Sequence, residues 1–163
     1  MEHEVAGMAA ALLTAAFLSI AGLAASLVLG IIATDSAGLL RHTTASIFAT
    51  MLTLLTHSMM MFYFIGKGKA IREAVAEGNL SRDFVTQISL ARKPVFSIGT
   101  LAMLLTIAAA IVGGGVDVGS MPVGLHEILA WSALAANLAA VRIEMHAIAT
   151  GSRIVAEIDR LLT

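Results

Sequence analysis

The sequence predicts an all-α integral membrane protein, a bundle of four transmembrane helices. Of its 163 residues, 58% are hydrophobic and only 13% are charged, whereas a soluble domain carries about 25% charged residues. The chain also contains uncharged stretches long enough to cross a hydrocarbon layer of about 30 Å as helices. We therefore expect a lipid bilayer to surround one membrane domain that covers residues 1–163.

Four apolar stretches define the expected spans, at about 5–34, 43–65, 94–116 and 122–147. No basic segment precedes the first stretch, so we expect a retained span instead of a cleaved signal peptide. Pro94 is expected in the first turn of the third span, where proline is tolerated. The fourth is the least regular, because only Ile128 to Val141 is free of charge, but its flanking polar residues can lie at the interfaces.

The segments between the spans differ in length and polarity. Residues 66–93 alternate basic and acidic side chains, and we expect an amphipathic helical loop that lies against the membrane surface. The tail, residues 148–163, is also amphipathic, and Gly151-Ser152 is a point where the fourth helix can be interrupted. Short turns elsewhere make spans 1–2 and 3–4 antiparallel hairpins, which together form a four-helix bundle.

The distribution of basic residues predicts the orientation. Every lysine and arginine except Arg41 lies in the 66–93 loop or after the fourth span begins to turn polar at Arg142. Because basic residues collect on the cytoplasmic side, both termini should be cytoplasmic in a multi-pass protein of the cell (inner) membrane.

Small residues recur at helical spacing in two of the spans, and such faces let helix backbones approach closely in lipid. The first span carries Ala15, Ser19, Gly22, Ser26 and Gly30 on one face. The third carries Ala102, Thr106, Ala110 and Gly114. We interpret both as packing faces, which also allows a homo-oligomer or a subunit of a membrane complex.

Polar residues share one face on the second span and one on the fourth, and the economical expectation is that these faces meet. The second-span face is Ser46, Thr50, Thr53 and His57, and the fourth-span face is His126, Ala130, Ala133, Asn137, Ala140 and Glu144. A rise of about 1.5 Å per residue makes His57 and Asn137 nearly level. Glu144 should lie about 17 Å from the middle of the bilayer on the cytoplasmic side, where we favour a pair with Arg142 or a basic loop residue at headgroup level. His57 and Asn137, with Glu144 toward the cytoplasm, are the candidate cofactor-binding polar core.

Histidines on the second and fourth spans raise the possibility of haem. Two stacked bis-histidine haems are disfavoured, because His146 lies about 200° around the helix from His126. On the same depth scale His42 and His126 differ by about 7 Å. One b-type haem ligated by His57 remains open, with a basic cluster for its propionates: Lys67, Lys69, Arg92 and Lys93. His42, His126 and Glu127 are candidates for an outer metal or proton site.

Several chemistries are excluded or lack support. The chain has no cysteine, which removes disulfides, iron–sulfur clusters and thiolate zinc sites. No catalytic motif or phosphate-binding loop is present, and nucleic-acid binding is not expected because acidic residues offset the basic ones. Three hypotheses remain: a non-catalytic subunit or homo-oligomer, an electron carrier with haem on His57, and a proton or metal-ion conduit through His57, Glu144 and the His126–Glu127 pair.

Overall fold

Four long helices make up the protein in a computed structural model that describes residues 2–162, and the side chains of 7–162. They are α1 (Glu2–Ile32), α2 (Ser36–Glu77), α3 (Asp83–Asp117) and α4 (Val123–Leu162). No strand occurs among the described residues, and each helix is long and apolar enough to cross a membrane. The prediction of an all-α chain with four long apolar helices is confirmed.

Tight turns join the helices. Asp35 caps the N-terminus of α2, where its carboxylate accepts a hydrogen bond from the backbone N–H of Gly38 at 2.6 Å. Asn79, between α2 and α3, has a φ of 49°, a left-handed conformation that asparagine tolerates. Gly119, between α3 and α4, has a φ of 71°, which glycine adopts without strain.

The bundle is closed by contacts of α1 with α2, α2 with α3, α3 with α4, and α4 with α1, while α2 and α4 face each other across the diagonal. The small-residue face of α1 packs on α2. A Cβ built on Gly22 would lie 3.3 Å from Cβ of Ala49, and the hydroxyls of Ser26 and Ser46 are 2.5 Å apart. The predicted packing face of the first span is therefore used inside the bundle.

The segment 66–93 differs from its prediction as a separate surface loop. Helix α2 runs unbroken to Glu77, α3 begins at Asp83, and only a short turn separates them. The extensions pack on the end of α4 and bury an apolar cluster: Ile71, Val75, Phe84, Ile88, Ile154 and Ile158. The apolar positions of this segment meet other helices, so the segment continues the bundle.

The boundaries of the last two helices also differ. Pro94 lies inside α3, well after its start at Asp83, so it does not open the helix. Helix α4 continues through Gly151 to Leu162, and the predicted tail is part of it; Thr163 lies outside the described residues. Gly151 is buried against the side chain of Lys67, and this close contact explains the glycine without a helix break.

The packing face of α3 follows the prediction in its first half only. Ala102 and Thr106 are buried, but at the far end the buried residue is Ala109, and Ala110 and Gly114 are exposed. An α-helix repeats every 3.6 residues, so a strict spacing of four drifts off the contact line.

Candidate functional site: a central polar cluster and an outer histidine pair

The centre of the bundle holds a buried polar cluster built on His57. Its Nδ1 lies 2.7 Å from Oε1 of Glu144, and its Nε2 lies 2.8 Å from Oδ1 of Asn137. All three side chains are at most 2% exposed. The expectation that His57 of the second helix meets Asn137 of the fourth is confirmed, whereas Ser46 of the same predicted face bonds Ser26 of α1.

The hydrogen-bond partners of Asn137 fix the protons of this cluster. Its Nδ2 donates to the carbonyl of Ala133 at 2.8 Å and to Oγ1 of Thr106 at 3.0 Å. Its Oδ1 is therefore the acceptor, and Nε2 of His57 must donate to it. The short contact with Glu144 then needs one further proton, either on Nδ1 of His57 or on the carboxyl group. The pair is net neutral in both cases.

Two buried polar atoms of the described residues have no hydrogen-bond partner: Oγ1 of Thr53 and Oε2 of Glu144. Thr53 precedes His57 by one helical turn on the same face of α2. Most buried polar atoms in proteins are hydrogen-bonded, so an unpartnered carboxylate oxygen at a fully buried site is unusual.

Glu144 differs from its predicted position. It was expected at headgroup level beside Arg142, but it is 1% exposed and bonded to His57 across the diagonal. Arg142 is exposed and lines a groove between α3 and α4 with His146 and Arg153. The axial rise along the helices measures only the separation of the backbones of His57 and Glu144, whereas their two long side chains can bridge several ångströms along the bundle axis.

A second site lies toward the opposite end from Lys67 and consists of His42 and His126. Their ring centroids are 6.0 Å apart, with ring planes at 75°. The spans predicted from the sequence place these two histidines about 7 Å apart in depth, which would have kept their rings from meeting. That expectation is wrong, because the rings are in contact. The middles of α2 and α4 were taken from predicted spans, and the helices extend well beyond those spans.

Both outer histidines are held in the same way. Nδ1 of His42 bonds the carbonyl of Ser26 at 2.9 Å, and Nδ1 of His126 bonds the carbonyl of Ala109 at 3.1 Å. A carbonyl only accepts, so each Nδ1 carries the proton and Nε2 of the neutral ring keeps a lone pair. No hydrogen bond engages either Nε2 within residues 7–162.

Each of these rings also packs on a glycine of the preceding helix. A Cβ on Gly30 would lie 2.9 Å from Cε1 of His42, and one on Gly113 would lie 2.8 Å from Cε1 of His126. Each glycine lies one helical turn beyond the residue whose carbonyl accepts from the ring. The hairpins α1–α2 and α3–α4 thus repeat one arrangement of histidine, carbonyl and glycine, and they present it to each other.

Between the hairpins lies a cavity of about 530 Å³, lined by all four helices and by both histidines. Its wall is mostly apolar and includes Leu23, Ile47 and Trp131, with Asp117 and Glu127 toward the helix ends. Thr106 and Ala133 line it as well, so the cavity reaches the groups that hold Asn137. No group of three or more metal-ligating side chains occurs in the described part of the chain.

The basic residues predicted to contact an anionic group lie at the other end of α2 and α3. Lys67 is buried, with Nζ 3.0 Å from the hydroxyl of Tyr63 and 3.4 Å from Oγ of Ser152. Lys69 is exposed and pairs with Glu73 at 3.7 Å. Arg92 packs on Gly68, and Lys93 is exposed. They do not form one cluster around His57.

Sequence reasoning missed Thr106 as a partner of Asn137, and it missed the opposition of the outer histidines. A signal for the latter was available: each histidine begins the second arm of a hairpin whose first arm ends in a glycine that can face it. Comparisons of the chain with family models, with curated proteins and with solved structures found no match.

Proposed function

We propose that the chain is a membrane-embedded electron carrier that binds one b-type haem between His42 and His126. The observation that carries the proposal is the opposition of two imidazoles, 6.0 Å apart at their centroids, across a cavity of about 530 Å³. A metal ion bonded at about 2.0 Å to one nitrogen of each of two opposed imidazoles would separate their centroids by roughly 6.4 Å.

The hydrogen bonds of the two rings favour ligation. Metal-bound histidines almost always donate their other N–H to a carbonyl or carboxylate, which fixes the ring and its tautomer. Nδ1 of His42 and Nδ1 of His126 both do this with backbone carbonyls. A quinone is a weaker fit, because its carbonyls need donors and the remaining Nε2 atoms carry lone pairs.

The cavity favours a planar organic cofactor over a bare ion. It is mostly apolar and within the volume range of organic ligand sites, about 300–1,000 Å³. A divalent ion would need a full set of protein or water ligands, whereas haem brings four nitrogens of its own and asks only for axial ligands. The exposed Arg41, beside His42, could receive a propionate.

The haem position differs from the alternative that placed it on His57. Both nitrogens of His57 are engaged, with Glu144 and with Asn137, so this ring has no free lone pair for iron. The subunit hypothesis drew on the small-residue faces. The face of α1 packs on α2, and in α3 Ala102 and Thr106 are buried inside the bundle. These residues therefore lend no support to an interface with other chains.

The membrane setting belongs to the same proposal. The exposed surfaces of the helices carry large apolar side chains such as Phe48, Ile111 and Trp131, which suit acyl chains better than water. With both termini cytoplasmic, as the basic residues predict, the haem would lie in the outer half of the bilayer.

The test is the absorption spectrum of protein expressed with ample haem and purified in mild detergent. We expect a Soret band and, on reduction, the sharp visible bands of six-coordinate iron. His42→Ala and His126→Ala should each lose haem or lose six-coordination. His146→Ala, which alters an exposed histidine of the same helix as His126, is the matched control and should retain both the haem and its six-coordinate spectrum.

Two results would contradict the proposal. One is a colourless preparation that takes up no added haem; metal analysis would then report whether an ion is bound instead. The other is a coloured protein that keeps its six-coordinate spectrum in both His42→Ala and His126→Ala, since other residues would then hold the iron.

A further inference from the structure

The buried centre of the bundle contains a carboxyl group and an imidazole that the haem site does not use. We infer that the His57–Glu144 pair is a proton-binding site whose proton occupancy rises when iron held between His42 and His126 is reduced. This inference rests on the proposed function, and it assigns to the protein a coupling of electron arrival to proton uptake.

The pair is fully hydrogen-bonded except at one carboxyl oxygen. One proton lies between Nδ1 of His57 and Oε1 of Glu144, and Nε2 of His57 donates to Asn137. Every nitrogen of the imidazole is thus engaged. The atom left over is Oε2 of Glu144, which is buried and without a partner. A further proton can bind there without breaking any hydrogen bond of the cluster.

The pair lies in a part of the bundle that contains few other titratable side chains. Helix α1 carries no titratable side chain in Gly7–Ile32, and α3 carries none from Pro94 to Val116. On α2 the first titratable groups toward the inner end are Tyr63 and Lys67, which bond each other. Beyond them α2 carries only exposed charged groups, Lys69, Arg72, Glu73 and Glu77, and toward the outer end the nearest groups are His42 on α2 and His126 on α4. On α4 the neighbours Arg142 and His146 are exposed in the α3–α4 groove. No other charged side chain forms an ion pair or hydrogen bond with His57 or Glu144 among the described residues, so a bound proton changes the net charge of the cluster.

The pair is connected to the cavity through hydrogen bonds. Asn137, which accepts from His57, donates to Thr106, and Thr106 lines the cavity between the histidines. The unpartnered hydroxyl of Thr53 lies on the same side of His57. Asn137 and Thr106 thus join the central pair to the wall of the proposed haem site.

The balance of the step is simple. With haem bound between His42 and His126, one electron from a donor protein or a reduced quinone would reduce its iron, and a proton from water would bind at Oε2 of Glu144 in a fraction of the molecules. The pair becomes an imidazolium beside a neutral carboxylic acid and gains one positive charge. This charge offsets the one lost at the iron.

The size of the coupling follows from distance. His42 and His57 are separated by about 22 Å along α2. At an effective dielectric constant of about 20, unit charges at that distance change each other's binding equilibrium roughly threefold. The midpoint potential of the haem should accordingly be higher at low pH, by about 30 mV in total, since a tenfold change corresponds to about 59 mV for one electron.

The experiment is a redox titration of the haem-loaded protein, followed by its visible bands over a series of pH values. Wild type should show the fall in potential with rising pH, and Glu144→Gln should abolish it while keeping the haem spectrum. Glu73→Gln, which alters an exposed carboxylate, should behave as wild type. In reduced-minus-oxidised infrared spectra, a carboxylic acid band should appear on reduction, vanish in Glu144→Gln and shift in Glu144→Asp.

The outcomes separate this inference from the proposed function. Protein without haem bands overturns both. Protein with haem bands but a pH-independent potential, or one whose pH dependence survives in Glu144→Gln and disappears in Glu127→Gln, overturns only the inference. The Glu144→Asp variant keeps a titratable carboxyl group. If Glu144→Gln does not fold, the shift of the carboxylic acid band in Glu144→Asp still tests the inference.

Discussion

Gly30 lies directly against the imidazole of His42, and Gly113 lies against that of His126 in the same way. Cβ atoms on these glycines would stand 2.9 Å and 2.8 Å from the nearest ring carbon. Real Cβ atoms do not approach so closely, so any larger residue must push the ring away. The position of each proposed haem ligand thus depends on a residue of the neighbouring helix.

Gly113→Ala should displace His126 and weaken haem retention. Overpacking costs about 1–3 kcal/mol, and the cost falls on the ligand because the ring is what the new Cβ meets. Gly114→Ala is the matched control: a Cβ there meets nothing within 4 Å, and alanine favours the helix by about 1 kcal/mol. Measuring haem loss to a haem scavenger checks both. Equal retention in the two variants would contradict the role given to Gly113.

Thr106→Val should destabilise the protein, whereas Thr53→Val should not. Both threonines are buried, but only Thr106 has hydrogen-bond partners, namely Asn137 and the carbonyl of Ala102. Losing them should cost about 1–3 kcal/mol. Thr53 has an unpartnered hydroxyl, so valine should be neutral or stabilising by about 1 kcal/mol.

Thermal or denaturant unfolding in one detergent measures the difference between these two variants. Each variant serves as the control for the other, because the same hydroxyl-to-methyl change is made at a buried threonine of α2 and at a buried threonine of α3. A larger loss in Thr53→Val than in Thr106→Val would mean that Thr53 has a partner, such as a buried water, which links it to the cluster.

Tyr63 and Lys67 should show strong energetic coupling. Lys67 is only 8% exposed, and the hydroxyl of Tyr63 at 3.0 Å is its nearest acceptor. A hydrogen bond to a charged group contributes about 1.5–3 kcal/mol, so Tyr63→Phe should destabilise the protein by an amount in that range. In a Lys67→Met background the same change should cost much less, because no cation then needs the hydroxyl.

A double-mutant cycle on the free energy of unfolding tests this pair. Lys69→Met serves as the control background, since Lys69 is 74% exposed and its ion pair with Glu73 spans 3.7 Å. Exposed pairs of this kind contribute little. A cost of Tyr63→Phe that is equal in the Lys67→Met and Lys69→Met backgrounds would refute the coupling.

Membrane orientation is open to a direct test, because the chain has no cysteine of its own. Ser81→Cys lies in the turn between α2 and α3, and Val118→Cys lies at the end of α3. With both termini inside, a membrane-impermeant maleimide should label Val118→Cys in intact cells. It should label Ser81→Cys only after permeabilisation. The reverse pattern would invert the predicted topology.

The sequence alone determined the four long helices and the meeting of two polar faces. Uncharged stretches that exceed a bilayer thickness leave few alternatives to helices. Likewise, His57 and Asn137 lie on polar faces whose burial needs a partner. Both conclusions follow from local periodicity and from the cost of an unsatisfied polar group, and neither depends on how the hairpins dock.

Only the tertiary structure decided which groups bond. Glu144 contacts His57 because two long side chains can span a difference in depth between their backbones. His42 contacts His126 because the helices extend beyond the predicted spans, so depths counted from the middles of those spans were incorrect. The 66–93 segment became part of the bundle for a related reason: its apolar positions find partners on α4 that no local pattern specifies. Pairings of this kind depend on relative shifts of packed helices, and such shifts are set by side-chain contacts across the whole bundle.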